Sequence, residues 1–147
     1  MKAVVTRVTS ASVTIGGGGC GQIGRGFLVL LGVGPNDTEA QAARLADKVT
    51  GLRVFEDENE KMNRNLAAVG GGLLVVSQFT LYADTKSRRP GFTGAAKPDV
   101  AIPLYEAFLS ECARLGFPPQ HGRFGADMQV YSVNDGPVTI LLDTDLM

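Results

Sequence analysis

The chain has 147 residues, 44% of them hydrophobic, and a formal net charge of −1, which fits one domain over residues 1–147 and excludes a uniformly basic nucleic-acid coat. No apolar run approaches the roughly 20 residues that cross a bilayer, and no signal-peptide core follows Met1, so we expect no membrane association. Cys20 and Cys112 match no metal or redox spacing, which favours the reducing cytoplasm.

The first third of the chain predicts strands. Residues 2–8 and 11–15 are rich in valine and threonine, and the glycine run at residues 16–19 predicts a turn after them. Residues 26–33 are apolar on both faces, which is typical of a strand that is covered on two sides.

A helix should follow this strand. Asn36 or Asp37 can cap its N-terminus, and the helix should end near Gly51. The apolar positions recur at helical spacing and predict a buried face made of Ala42, Leu45, Ala46 and Val49.

The most informative segment is a predicted buried strand over residues 73–81 that carries polar side chains near its end. Because side chains alternate along a strand, Gln78 and Thr80 should share one face, while Ser77 should lie on the other. A buried polar group without a partner costs about 1–3 kcal/mol. These side chains therefore either form hydrogen bonds with neighbouring backbone or contact a ligand. The strand pattern alone leaves both interpretations open.

The second half begins with a loop over residues 83–98 that carries Lys86, Arg88, Arg89 and Lys97, which suits a local basic patch or a solvated surface. A second helix should end at Gly116 and bury one face, made of Ala101, Leu104, Tyr105, Phe108, Cys112 and Leu115.

The C-terminal part of the chain predicts a β-hairpin. Residues 128–133 and 138–142 should form its strands around the turn Asn134-Asp135-Gly136-Pro137. Proline after glycine removes a backbone donor there and permits a cis peptide bond. The element order predicts an α+β fold with a mostly antiparallel, barrel-like sheet and two main helices.

The residue inventory excludes most enzyme chemistries. His121 is the single histidine and lies in a Pro- and Gly-rich connection, so a triad would have to be built there. One histidine and two distant cysteines cannot form the usual zinc sites. Gly70 to Gly72 precede a strand, whereas a phosphate loop opens a helix. A cofactor-free site without metal remains, in which Thr80 as a nucleophile would lack a base nearby in sequence.

Two motifs resemble the D-aminoacyl-tRNA deacylase family: Ser77-Gln78-Phe79-Thr80 and Asn134-Asp135-Gly136-Pro137-Val138-Thr139. Either motif alone is weak, but both occur in order in a chain of the family's length. Further segments that carry the resemblance are Gln22-Ile23-Gly24, Lys61-Met62-Asn63, Arg89-Pro90 with Phe92, and residues 122–130.

The resemblance implies a homodimeric esterase with a composite active site. Such an enzyme hydrolyses the bond between a D-amino acid and the terminal adenosine of tRNA, and also removes glycine from misacylated tRNA. A cis Gly-Pro dipeptide, here Gly136-Pro137, would reach into the partner subunit's pocket and exclude an L side chain. The resemblance also implies that Arg7 holds this dipeptide and that Phe124 and Met128 line or brace the pocket.

The same resemblance assigns Ser77, Gln78, Phe79 and Thr80 to the pocket for the adenosine and the ester, with the amides of Phe79 and Thr80 facing the ester oxygen. It implies catalysis assisted by the substrate's own 2′-hydroxyl, although Thr80 has also been viewed as a nucleophile. Two other functions stay open: a non-catalytic tRNA or nucleotide binding module, and a threonine-nucleophile hydrolase of small esters.

Overall fold

The first three strands form the centre of the sheet in the computed structural model, which describes residues 1–147. They are β1 (Lys2–Ile15), β2 (Gly18–Ile23) and β3 (Gly26–Gly32), and β1 pairs antiparallel with both of the others. Gly16 and Gly17 adopt φ of +58° and +82° between β1 and β2, a conformation that favours glycine at both positions of a tight hairpin turn. The predicted turn is therefore confirmed, whereas the two predicted opening strands form one.

Helix α1 (Glu39–Gly51) ends where the sequence predicts, and its predicted apolar face is buried. The predicted caps are wrong, because Thr38 caps the helix and forms a capping box with Gln41. Asp37 instead pairs with the buried N-terminal ammonium of Met1 at 2.8 Å. This ion pair attaches the start of β1 to the loop before α1.

Short elements occupy the middle of the chain. Strands β4 (Phe55–Glu56) and β5 (Met62–Arg64) form a small antiparallel sheet, and the single-turn helix α2 (Leu66–Val69) follows. Strand β6 (Gly72–Ser77) then runs parallel to β3 and leads into a 3₁₀ turn, Phe79–Tyr82. Four consecutive residues of β6, from Leu73 to Val76, are buried, which explains their unbroken apolar pattern.

Helix α3 (Pro98–Arg114) begins with proline at its first position, where the missing amide hydrogen is not needed. Five of the six residues predicted for its apolar face are buried and Leu115 packs against them. Pro103 lies inside the helix. The short strand β7 (Gln120–His121) follows and pairs parallel with β6.

The predicted C-terminal hairpin is wrong: residues Gln129–Asp143 form one long strand, β8, antiparallel to β1. Strand β1 offers an edge of matching length, so both halves of β8 pair with it. The register places Thr139 opposite Thr6 and Asn134 opposite Val8, which leaves four residues of β8, 135–138, facing the single residue Arg7. The expected turn is thus a bulge that projects from a continuing strand.

The sheet is mixed, whereas the sequence predicts a mostly antiparallel one. Its order is β2-β1-β3-β6-β7, with β8 on the other edge of β1, and the β3–β6 and β6–β7 pairs are parallel. The Cys20 thiol donates to the carbonyl of His121 at 3.5 Å, so β2 approaches β7 and nearly closes a barrel. Helices α1 and α3 cover one face in this α+β domain, and no helix is both long and apolar enough to span a membrane.

Candidate active site

The motif Ser77-Gln78-Phe79-Thr80 lies where β6 ends and the chain turns. The amide of Gln78 donates to the carbonyl of Leu31 at 2.8 Å, which extends the parallel ladder one residue beyond Ser77. The carbonyl of Gln78 then accepts from the amide of Leu81 at 3.2 Å and bends the chain into the 3₁₀ turn. The predicted continuation of the strand to Leu81 is therefore wrong, and the motif forms a strand-to-turn corner.

The two polar side chains of the motif meet, although not through strand alternation. The Gln78 side-chain amide donates to the hydroxyl of Thr80. No hydrogen bond joins this hydroxyl to a histidine, lysine or carboxylate. An amide is not a general base, so Thr80 has no group beside it that would activate it as a nucleophile.

The backbone amides of Phe79 and Thr80 open the 3₁₀ turn. The first amides of a helical turn have no acceptor within it, so they are free to donate to an incoming group. The Phe79 ring is 53% exposed and meets Phe92 edge-on, with centroids 5.1 Å apart. Two adjacent donors at an accessible corner are the arrangement that stabilises an oxyanion.

Gly136 and Pro137 lie in the bulge of β8 and are both exposed. Their peptide bond is cis, and Gly136 adopts φ of +114°. A Cβ at Gly136 would lie 2.9 Å from Arg7 Nη2 and 3.0 Å from Val138 Cγ2. Because both the conformation and the space exclude a side chain, only glycine fits this position without a shift.

Arg7 is buried beneath this bulge, with 5% of its surface exposed. Its Nε donates to the carbonyl of Asp135 at 3.2 Å, and its Nη1 donates to the carbonyl of Val54 at 2.6 Å. The carboxylates of Asp135 and Glu56 lie 3.4 Å and 3.9 Å from the guanidinium and balance its charge. Arg7 thus joins the bulge of β8 to the segment before β4.

We expect Arg7→Met to lower the free energy of unfolding by about 2–4 kcal/mol, because it leaves the buried carbonyl of Val54 and the partly buried carbonyl of Asp135 without donors. Urea denaturation measures the effect. Arg88→Met is the control, since Arg88 is exposed and forms no ion pair, and it should change stability by less than about 0.5 kcal/mol. A loss below about 1 kcal/mol for Arg7→Met would contradict this role.

Phe124 and Met128 pack on opposite parts of the core. The Phe124 ring lies 6.0 Å from the ring of Tyr105, whose hydroxyl donates to the carbonyl of Val75 at 3.3 Å. Burial raises the pKa of Tyr105 to about 12, so it remains a neutral donor. Met128 packs against the smaller hydrophobic cluster, and its sulfur fills the space that a side chain at Gly122 would need.

The structure does not bring the two motifs together within one chain. Ser77, Leu31, Ala3 and Leu142 form one row across β6, β3, β1 and β8. Three strand spacings across the sheet, about 14 Å, and the offset along β1 from Ala3 to Arg7, about 13 Å, place Pro137 about 20 Å from Ser77 along the diagonal of the sheet. Along the sheet, Gly136-Pro137 and the Ser77 corner of one chain are therefore well separated.

Several contacts at the site have no signal in the sequence. The carbonyl of Val54 holds Arg7, but every residue has a carbonyl and only the fold selects this one. Phe92 and Tyr105 support Phe79 and Phe124, and neither follows from spacing. No cluster of three or more His, Cys, Asp or Glu side chains could hold a metal ion.

Comparisons with known proteins agree over almost the whole chain. A family model described as D-Tyr-tRNA(Tyr) deacylase matches residues 4–143. A D-aminoacyl-tRNA deacylase of Roseiflexus castenholzii is 59% identical over 98% of this chain and 92% of its own. The corresponding protein of Lacticaseibacillus casei is 57% identical over 99% of both chains.

Two solved structures are similar to this fold. One is described as a c-Myc DNA unwinding element binding protein, with a TM-score of 0.92 and 44% identity over 97% of this chain and 98% of that chain. A probable eukaryotic D-amino acid tRNA deacylase has a TM-score of 0.85 at 14% identity over 96% of this chain and 97% of its own, a likeness of fold. By the family model and the identities over nearly full length, the chain belongs to the D-aminoacyl-tRNA deacylase family, whose members are hydrolases.

Proposed function

We propose that this chain hydrolyses the ester bond of D-aminoacyl-tRNA and of misacylated glycyl-tRNA, releasing free tRNA and the amino acid. It would act as a homodimer in the cytoplasm, as a chiral proofreading step in translation. The observation that carries this proposal is the register of the sheet, which separates the two motifs by about 20 Å along the sheet of one chain. A second copy supplies the missing half of each site.

The surface of β8 supports dimerisation. This strand pairs only with β1, so its outer edge of 15 residues is unpaired. Its side chains include Tyr131, Val133 and Leu141, with exposures of 56%, 58% and 77%. A long edge strand with exposed apolar side chains is a surface that proteins normally cover. The bulge with Gly136-Pro137 belongs to the same strand, so covering β8 with a second copy would present it to the partner.

The chemistry proposed for the pocket needs no protein base. Water attacks the ester carbonyl carbon, the bond from that carbon to the 3′-oxygen breaks, and the 3′-oxygen takes up a proton. The amides of Phe79 and Thr80 stabilise the oxyanion, while Ser77 and Gln78 shape the pocket. The substrate's neighbouring 2′-hydroxyl positions the water, a role that fits the absence of a basic side chain beside Thr80.

We assign the rejection of L-amino acids to the backbone of Gly136 and Pro137. Arg7 fixes the bulge through the carbonyl of Asp135, and Gly136 has no space for a side chain of its own. Held in this way, Gly136 and Pro137 form a rigid wall that an L side chain would strike, with Phe124 and Met128 bracing the chain that leads into β8. Glycine has no side chain, so such a wall does not exclude it and glycyl-tRNA becomes a substrate.

The proposed activity is tested with purified protein and D-tyrosyl-tRNA, against L-tyrosyl-tRNA as the matched control. We expect kcat/KM for the D form to exceed that for the L form by more than about 200-fold, the most that a few apolar contacts provide. Release of tyrosine is the readout. Binding of tRNA without release of either amino acid would favour the non-catalytic binding module and overturn the proposal.

We expect Thr80→Ala to retain activity within about tenfold of wild type, because the lost hydroxyl only accepts a hydrogen bond from Gln78. Single-turnover hydrolysis of D-tyrosyl-tRNA measures the effect, and Thr80→Ser, which keeps the hydroxyl, is the control. A loss of about 10⁴-fold or more in Thr80→Ala alone, together with a trapped acyl-enzyme in wild type, would establish the threonine nucleophile instead.

A further inference from the structure

The aromatic pair Phe79–Phe92 has a surface that the catalytic role of the motif does not explain. The rings meet edge-on at 5.1 Å and 79°, and Phe79 remains 53% exposed. Neither ring joins either hydrophobic core cluster. The pair is therefore accessible to solvent, through the exposed Phe79 and the half-buried Phe92, beside the amides proposed to hold the ester.

The loop that carries Phe92 has a defined shape. Asp84 and Gly91 exchange two backbone hydrogen bonds of 2.7 Å and 2.9 Å, which close the loop immediately before Phe92. Within it, the Asp84 carboxylate accepts from the amide of Lys86 at 2.9 Å. The Ser87 hydroxyl donates to the carbonyl of Arg89 at 2.7 Å. These contacts give the loop tip one shape and fix the base of the loop next to Phe92.

The loop tip carries positive charge that the protein does not neutralise. Lys86, Arg88 and Arg89 are exposed, and none lies within 4.0 Å of a carboxylate. The one carboxylate in the loop, Asp84, is engaged by backbone. Unpaired cations beside exposed aromatic rings are what proteins use to hold single-stranded nucleic acid, with phosphates on the cations and bases on the rings.

We infer that Phe79 and Phe92 stack the nucleobase immediately upstream of the terminal adenosine, while Lys86, Arg88 and Arg89 hold the phosphates that follow. This inference rests on the proposed function, which places the ester at the amides of Phe79 and Thr80. The amides proposed to hold the ester are then followed by the aromatic pair and by the basic loop. This order matches that of the ester, the upstream base and its phosphates along the RNA strand. Phe92 thereby becomes a binding residue for RNA rather than a packing residue.

The test compares two substrates that differ by one nucleotide, D-aminoacyl-adenosine and the same ester extended by one 5′ nucleotide. In wild type we expect the added nucleotide to raise kcat/KM about tenfold, mainly through KM, as base stacking on an aromatic ring provides. Phe92→Ala should abolish most of this gain, and Phe92→Tyr should restore it. Phe117→Ala, at the far end of α3, is the matched control and should keep the gain.

Two results would overturn the inference: no gain from the added nucleotide in wild type, or a gain that persists in Phe92→Ala. If Phe92→Ala lowers kcat/KM by the same factor for both substrates, the gain from the added nucleotide persists. That result would assign Phe92 a purely structural role. Failure of wild type to hydrolyse D-aminoacyl-tRNA is a separate outcome, because it removes the proposed function and this inference with it.

Discussion

Phe79→Pro is expected to lower kcat for D-aminoacyl-tRNA by about 100- to 1000-fold relative to Phe79→Ala, the usual cost of removing one oxyanion donor. Phe79 opens the 3₁₀ turn, where proline is tolerated because the amide hydrogen has no acceptor in the turn. Gln78 before it has φ of −144° and ψ of 81°, which lies outside the α region that a following proline disfavours. The substitution therefore deletes one donor with little change of the backbone.

Phe79→Ala is the matched control, since both variants lack the ring and differ in the amide. Steady-state kinetics with saturating substrate separate kcat from KM, and thermal unfolding checks that both variants are folded. Equal kcat values for the two variants would mean that the Phe79 amide does not contact the developing oxyanion. The oxyanion that forms when water attacks the ester would then need another hydrogen-bond donor.

Mixing two inactive variants is expected to restore activity if each site is shared between subunits. Gly136→Ala should displace the bulge into the shared pocket and block substrate binding there, because its Cβ would lie 2.9 Å from Arg7 Nη2. Phe79→Pro removes one of the two backbone amides that are proposed to hold the ester oxygen. In a heterodimer of the two, one site combines both defects and the other site is intact. Random exchange of subunits makes half of the dimers mixed, so activity should recover to about one quarter of wild type.

Subunit exchange is achieved by unfolding and refolding the mixture, and each variant refolded alone is the control. Size-exclusion chromatography with light scattering establishes the dimer in all samples. A mixture that stays as inactive as its components would place the whole site within one chain. A monomeric wild type that hydrolyses D-aminoacyl-tRNA would contradict the shared site directly.

The local elements were largely predictable because short-range chemistry determines them. The apolar face of α1, its end at Gly51 and the buried face of α3 all follow from helical periodicity. The turn at Gly16 and Gly17 follows from the conformational freedom of glycine. The cap of α1 could not be assigned as safely, since Asn36, Asp37 and Thr38 are all good capping residues. Asp37 instead forms an ion pair with the ammonium of Met1, which is distant in sequence.

Non-local pairing decided the features that the sequence predicted wrongly. Asn134-Asp135-Gly136-Pro137 has the composition of a hairpin turn, yet the strand continues because β1 provides hydrogen-bond partners on both sides of it. Ser77-Gln78-Phe79-Thr80 has the pattern of a strand end, yet Gln78 completes the ladder with Leu31 and the chain turns. In the first case a partner strand far along the chain overrides the local turn preference, and in the second the strand ends where its pairing with β3 ends.

The sequence by itself determined the family, through two motifs to which we assign the proposed site. It also determined which helix faces are buried, because periodicity is a property of neighbouring residues. Only the tertiary structure decided that the two motifs lie about 20 Å apart along the sheet and that Arg7 holds the bulge through the carbonyls of Asp135 and Val54. No residue type marks the register of a strand pair or the carbonyl that a buried arginine will contact. Both are determined only when the chain folds.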